Sequence, residues 1–134
     1  VHGLIAAPSD QGQDQWGCYS SAIAGADDTA IGTGAQNTID IEAGCTTSGT
    51  AADICANLTL GGYSDWFLPS KNELNEMYLN LHQQGLGGFA NDWYWSSTEF
   101  NNLYAWIQSF DSYGYPSYTN KNLNWVYVRA VRAF

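Results

Sequence analysis

Basic residues are scarce in this 134-residue chain: four Lys and Arg stand against thirteen Asp and Glu, a net charge of −9. That deficit argues against nucleic acid as a partner, since such binding needs a lysine- and arginine-rich face. Histidine is nearly absent too. His2 and His82 are far apart and no CxxC occurs, so zinc, and any metal or cofactor, is not expected. The longest apolar run is a few residues, which excludes a membrane-spanning helix. No charged leader with an apolar core precedes the body, so no signal peptide is expected, and the start at Val1 suggests a piece of a longer protein. Three cysteines allow at most one internal disulfide. Cys55 lies in the Ala/Leu-rich TAADICANL, where a thiol behaves as a small apolar group. Cys18 and Cys45 each follow a glycine in loop-like sequence, so these two are the expected pair.

What is plentiful is apolar and aromatic residues, 45% and 15% of the chain. A chain of this length buries enough surface for one domain without metal clusters, so residues 1–134 are read as a single unit. The charge is unevenly spread. Thirteen acids and one base from Val1 to Asp111 give −12, and three bases without an acid from Ser112 to Phe134 give +3. The last segment reads as a basic island on an acidic body, able to tolerate a polyanion there alone. One disulfide with few charges and many Trp and Tyr suits a secreted or outer-surface protein.

Along the chain, VHGLIAAP opens as a strand that Pro8 stops. Residues 9–50, rich in Gly, Ser, Thr, Asp and Ala, read as long ordered loops. A helix is expected over Ala51–Leu60, ended by Gly61-Gly62. LPSKNELNEMYLNLHQQG carries the clearest signal. Ser70 and Glu73 make a capping box, Leu74, Met77, Tyr78 and Leu81 form one apolar stripe, and Gly85 closes the helix. WYWSSTEF, YAWIQSF and NWVYVRAVRAF are rich in aromatic and β-branched residues and read as strands, with DSYGYPSYTNKNLN a polar loop between the last two. Helices first and strands afterwards indicate an α+β fold.

Catalytic patterns are missing. The glycines of Gly32-Thr33-Gly34 lack the further Gly and Lys of a phosphate loop. Ser96 and Ser97 have no nucleophile elbow around them. Asp27-Asp28 lacks the spacing of a calcium loop and reads as a solvated acidic turn. A binding role fits better than an enzymatic one.

The 111–124 loop offers candidates. Tyr113, Tyr115 and Tyr118 supply rigid amphipathic area, while Ser117, Asn120, Asn122 and Asn124 supply adaptable donors and acceptors. This is a paratope-like composition that also suits sugars. The alternative is a hydrophilic loop whose tyrosines pack locally and whose asparagines serve turns. Lys121 is expected to be exposed and free to meet an anion. A two-residue period places Arg132 with Val126, Val128, Ala130 and Phe134, where it either pairs with a carboxylate or meets ligand. Arg129, beside Trp125 and Tyr127, is the stronger ligand candidate. Lys71, badly placed for the helix dipole, reads as merely solvated.

At GYSDWFLPSKNELNEMY, YWSSTE, Ala105-Trp106 and the terminal YVRAVRAF the chain resembles the C-terminal domain family of the Legionella collagen-like adhesin Lcl. GLIAAPSDQG is similar to that family's usual opening. DWFLPS also resembles a segment of the sulfatase-modifying, C-type-lectin-like superfamily, which implies a compact α+β domain of helices, short antiparallel strands and long loops, with about two helices here. The superfamily's catalytic cysteines and its EPN or WND calcium signature are absent, since Asn91-Asp92-Trp93 has another order. The resemblance implies a non-enzymatic adhesin domain with a collagen-like stalk upstream, a homotrimer, and sulfated glycosaminoglycans as partner. Lys121, Arg129 and Arg132 would then contact sulfate, three +3 segments adding to one field. Two other readings stand beside it. One is a protein-recognition module with a diversified loop that includes Asn101, Asn102 and Tyr104, and the other is a structural trimerisation head.

Overall fold

The Ser70–Glu73 pair organises the centre of the domain. In the computed structural model, which describes residues 3–134, the Ser70 hydroxyl accepts the Glu73 amide and the Glu73 carboxylate accepts the Ser70 amide, a complete capping box. The helix it starts, α3 (Lys71–Asn80), buries Leu74, Met77 and Tyr78. A short 3-10 turn, His82–Gln84, follows and ends at Gly85 in the left-handed region.

Before α3 come β1 (Leu4–Ala6), β2 (Gly12–Gln13), α1 (Gly34–Gly44) and α2 (Ala51–Ala56). After it come β3 (Trp93–Glu99), β4 (Tyr104–Ser109), β5 (Pro116–Asn120), β6 (Tyr127–Val128) and β7 (Val131–Ala133). The strands form a five-stranded sheet of order β2-β6-β3-β4-β5 and a two-stranded ribbon β1-β7. All pairings are antiparallel except that β6 runs parallel to β3, opposing Tyr127 to Tyr94. This is an α+β domain whose α-helices all fall between Gly34 and Asn80.

Alternation along β3 and β4 divides the core. Trp95, Ala105 and Ile107 join Trp16, Ile41, Val126 and Val128 on one side of the large sheet. Tyr94 joins Phe67, Leu74, Met77, Tyr78 and Phe110 on the other, under α3. Cys18 and Cys45 form a disulfide, S–S 2.04 Å, while Cys55 is free and fully buried. Burial pushes the Cys55 thiol well above its ordinary pKa.

Four elements depart from expectation. Residues 9–50 contain α1, giving three α-helices rather than two. Its inward residues, Gly34, Asn37, Thr38 and Ile41, make no apolar stripe. They are held instead by hydrogen bonds, Asn37 Nδ2 to the Asp28 carbonyl at 2.8 Å and the Leu68 amide to Thr38 Oγ1 at 3.1 Å. A Cβ on Gly34 would run into the Glu73 carboxylate, so this glycine at the start of α1 serves close helix packing. Second, the 111–124 loop contains β5, which pairs with β4 across Ala105–Thr119 and Trp106–Tyr118. Pro116 sits at its first residue, on the sheet edge, where a missing donor costs least. Third, the terminal strand is two strands. The chain leaves the large sheet after Val128 and joins β1 at Val131, so a single alternation does not run from Trp125 to Phe134. The α2 helix stops at Ala56 rather than Leu60, where the Asn57 amide returns to the Asp53 carbonyl.

Candidate functional site

Every cation of the basic island has an acidic partner. Lys121, expected to be exposed, is fully buried at 0%. Its ammonium donates to Glu99 Oε2 at 2.6 Å and the Ser21 carbonyl at 2.9 Å, and lies 4.6 Å over Trp16. Arg129 is 1% exposed. Its Nε donates to Asp10 Oδ1 at 2.8 Å, its remaining nitrogens to the carbonyls of Ala7, Gly87 and Gly88, and Phe89 stacks 4.0 Å away. Neither side chain is accessible as a sulfate contact in this fold. Paired cations also contribute little field at a distance, so the +3 of the segment is a sequence sum rather than a surface property. Arg132 holds both Asp65 oxygens, at 2.7 and 3.0 Å, and lies 3.6 Å over Tyr63, with 11% of its side chain exposed. That pair holds the Asp65 carboxyl below its ordinary range, the Arg132 hydrogen bond being the main cause.

The candidates that do reach the surface are aromatic. Tyr118 is 46% exposed on β5 and stacks face to face on Phe100, 44% exposed, with centroids 4.1 Å apart and planes 4° off parallel. Trp106 presents its edge to both, at 5.3 and 5.8 Å, and Tyr104 tilts against the same pair. The β3–β4 turn fixes this group. Asn101 Oδ1 accepts the amides of Leu103 and Tyr104, an Asx-type turn that returns Tyr104 to Phe100. Cross-strand register then sets Asn120 opposite Tyr104 and Tyr118 opposite Trp106. Asn122 is exposed just beyond β5.

At the other end of the hairpin Tyr113 and Tyr115 are 71% and 66% exposed and stack at 5.8 Å. Asp111 Oδ1 accepts the amides of Tyr113 and Gly114, which holds its carboxyl below the ordinary range. Gly114 has φ +68, and a Cβ there would collide with the Tyr78 ring. The tyrosine pair is therefore displayed by a defined turn.

Lys71, read from sequence as merely solvated, is the one Lys or Arg without a carboxylate partner among the described residues. Its ammonium lies 4.3 Å over the Trp106 ring. Phe100, Trp106 and Lys71 are the members of this surface that loop composition did not single out. A period-2 reading of YAWIQSF puts Tyr104 and Trp106 on one face, which is the available signal.

A second polar feature lies away from this face. Burial, then a hydrogen bond with Asp53, pushes the Glu42 carboxyl up to about 7. Asp53 is held down, chiefly by the Gly49 amide at 2.7 Å. Because the folded Glu42 value exceeds the ordinary 4.5, its stabilising contribution is complete below pH 4.5 and is lost as pH rises through about 7. Glu42→Gln is expected to match wild type at pH 5 and exceed it at pH 8 by about 1 kcal/mol, after allowing for partial exposure. Urea titrations at the two pH values check this, and equal midpoints at pH 8 would refute it.

Among the described residues no group of three His, Cys, Asp or Glu is placed to hold a metal ion, and no helix is long and apolar enough to cross a membrane. The fold and the displayed rings define a small α+β domain with a stacked aromatic edge. The chain belongs to the Lcl C-terminal domain family, whose model matches residues 13–132. That is an adhesin-associated family, linked to collagen-like surface proteins and not known for catalysis. GLIAAPSDQG, residues 3–12, lies wholly ahead of the first matched residue, so that part of the likeness falls outside the match. No curated protein matches the chain.

Proposed function

We propose that this domain is the non-catalytic, glycan-binding head of a secreted or outer-surface adhesin. Its contact surface is the aromatic edge of β4–β5 with the adjoining Tyr113–Tyr115 pair. The observation that carries the reading is the half-exposed Phe100–Tyr118 stack, flanked by Trp106 and Tyr104. Sugar rings offer C–H faces to such platforms, and Asn120 and Asn122 supply amide donors and acceptors for hydroxyls. Sulfated glycosaminoglycans are the partner class and a homotrimer the assembly, both resting on the family likeness rather than on the buried cations.

Tyr118→Ala is expected to weaken retention on immobilised heparin and dextran about tenfold, the scale of one lost stacking contact plus its buried area. Equal retention of variant and wild type, with unchanged thermal midpoints, would remove the aromatic edge as the site. Light scattering tests the trimer. A protein ligand is the second reading, favoured because Asn101, Tyr104, Tyr118 and Asn120 form one contiguous face. Failure of every polysaccharide to be retained would turn the choice toward it.

A further inference from the structure

We infer that the hollow between the N-terminal turn of α3 and the β4–β5 hairpin is an anion subsite for a sugar bearing one carboxylate or sulfate, with Lys71 as the residue that sets its selectivity. This deepens the glycan reading and rests on it. The hollow is about 280 Å³ and is lined by Lys71, Asn72, Asn75, Gln108 and Pro116. No acid lines it, in a chain of net charge −9. The three other Lys and Arg side chains are engaged with carboxylates at 2.6 to 2.8 Å, and Lys71 alone is left over.

Its ammonium has no internal demand to satisfy beyond the Trp106 ring. The nearby Glu73 carboxylate is occupied by the Ser70 and Gly32 amides, at 2.8 and 2.9 Å. The α3 amides are spent as well, Lys71 N on Thr98 Oγ1 and Asn72 N on the Thr29 carbonyl. The first turn of a helix disfavours a cation, and an anion beside it relieves that cost. Gln108 donates to Asn75 Oδ1 at 2.9 Å and to the Gly114 carbonyl at 3.0 Å, which orients the exposed Asn75 amide and leaves its Nδ2 hydrogens free for hydroxyls. Trp106 links the hollow to the platform, lying under the Lys71 ammonium and edge-on to Tyr118. A ring stacked on the platform can thus place its anionic group at Lys71.

The test measures retention of wild type, Lys71→Gln and Lys71→Arg on immobilised dextran, dextran sulfate and polygalacturonate at two salt concentrations. Wild type is expected to prefer an anionic polymer over dextran about tenfold at low salt, the preference shrinking as salt rises. Lys71→Gln loses the preference, its retention on the anionic polymers falling to its own retention on dextran, and Lys71→Arg keeps the preference. Preference for only one anionic polymer supports the subsite and identifies its group as sulfate or carboxylate. Equal retention of all three polymers by wild type, or an undiminished preference in Lys71→Gln, overturns the subsite and leaves the glycan reading standing. No retention of any polymer overturns both.

Discussion

Arg129→Leu is expected to cost the domain about 3–5 kcal/mol, the usual consequence of removing one partner of a buried ion pair. The guanidinium ties its own segment to two others with which it shares no strand pairing, the 7–10 stretch and the Gly87-Gly88 turn. Its loss strands the Asp10 carboxylate, which also accepts the Tyr94 hydroxyl at 2.9 Å, and leaves the carbonyls of Ala7, Gly87 and Gly88 without this donor. Arg129→Lys recovers little, because one ammonium cannot satisfy a fork of four acceptors in fixed directions. The measurement is a urea midpoint with unchanged slope. A variant as stable as wild type but deficient in polyanion retention would restore Arg129 as a ligand contact.

Lys121→Met should show a comparable loss, about 3–5 kcal/mol. Glu99 would remain, 9% exposed, with only the Ile23 amide at 2.7 Å to balance its charge. The ammonium also holds the Ser21 carbonyl, and the Lys121 carbonyl accepts the Gly17 amide at 3.1 Å, so the pair braces the segment that carries Cys18. Adding Glu99→Gln keeps an acceptor for Ile23 while removing the stranded charge, and is expected to recover much of the loss. A double-mutant cycle measures this coupling. Additive effects would show that Lys121 and Glu99 do not act as a pair.

These two residues show where sequence reading runs out. Lys121 lies in a polar stretch of Asn, Thr and Leu, and nothing local marks it as buried. Its partner Glu99 is 22 residues away and its aromatic neighbour Trp16 more than a hundred. Arg129 sits in a regular alternation, yet the alternation ends at the sheet switch after Val128. Charge summed along a segment therefore misjudged charge at the surface. The tyrosines fared differently, since Tyr113, Tyr115 and Tyr118 are exposed, and the turn that displays the first two uses Asp111 and Gly114, residues a turn reading can recognise. Trp106 and Lys71 were visible only as separate residues until β4 and the start of α3 were brought side by side.

By itself, the sequence determined what depends on neighbours a few residues apart. The capping box and apolar stripe specify α3, the aromatic and β-branched runs specify β3 and β4, and the DWFLPS, YWSSTE and YVRAVRAF motifs point to the family. Only the tertiary structure decided what depends on distant partners: a helix held by polar packing, a strand created by pairing at a sheet edge, and the neutralisation of each C-terminal cation. The physical reason is that a buried charge is stable only where its counterion and hydrogen-bond acceptors converge, and that convergence is a property of the fold. The low number of basic residues acquires its meaning there: three are spent on assembling the domain, and Lys71 is left without a carboxylate partner among the described residues.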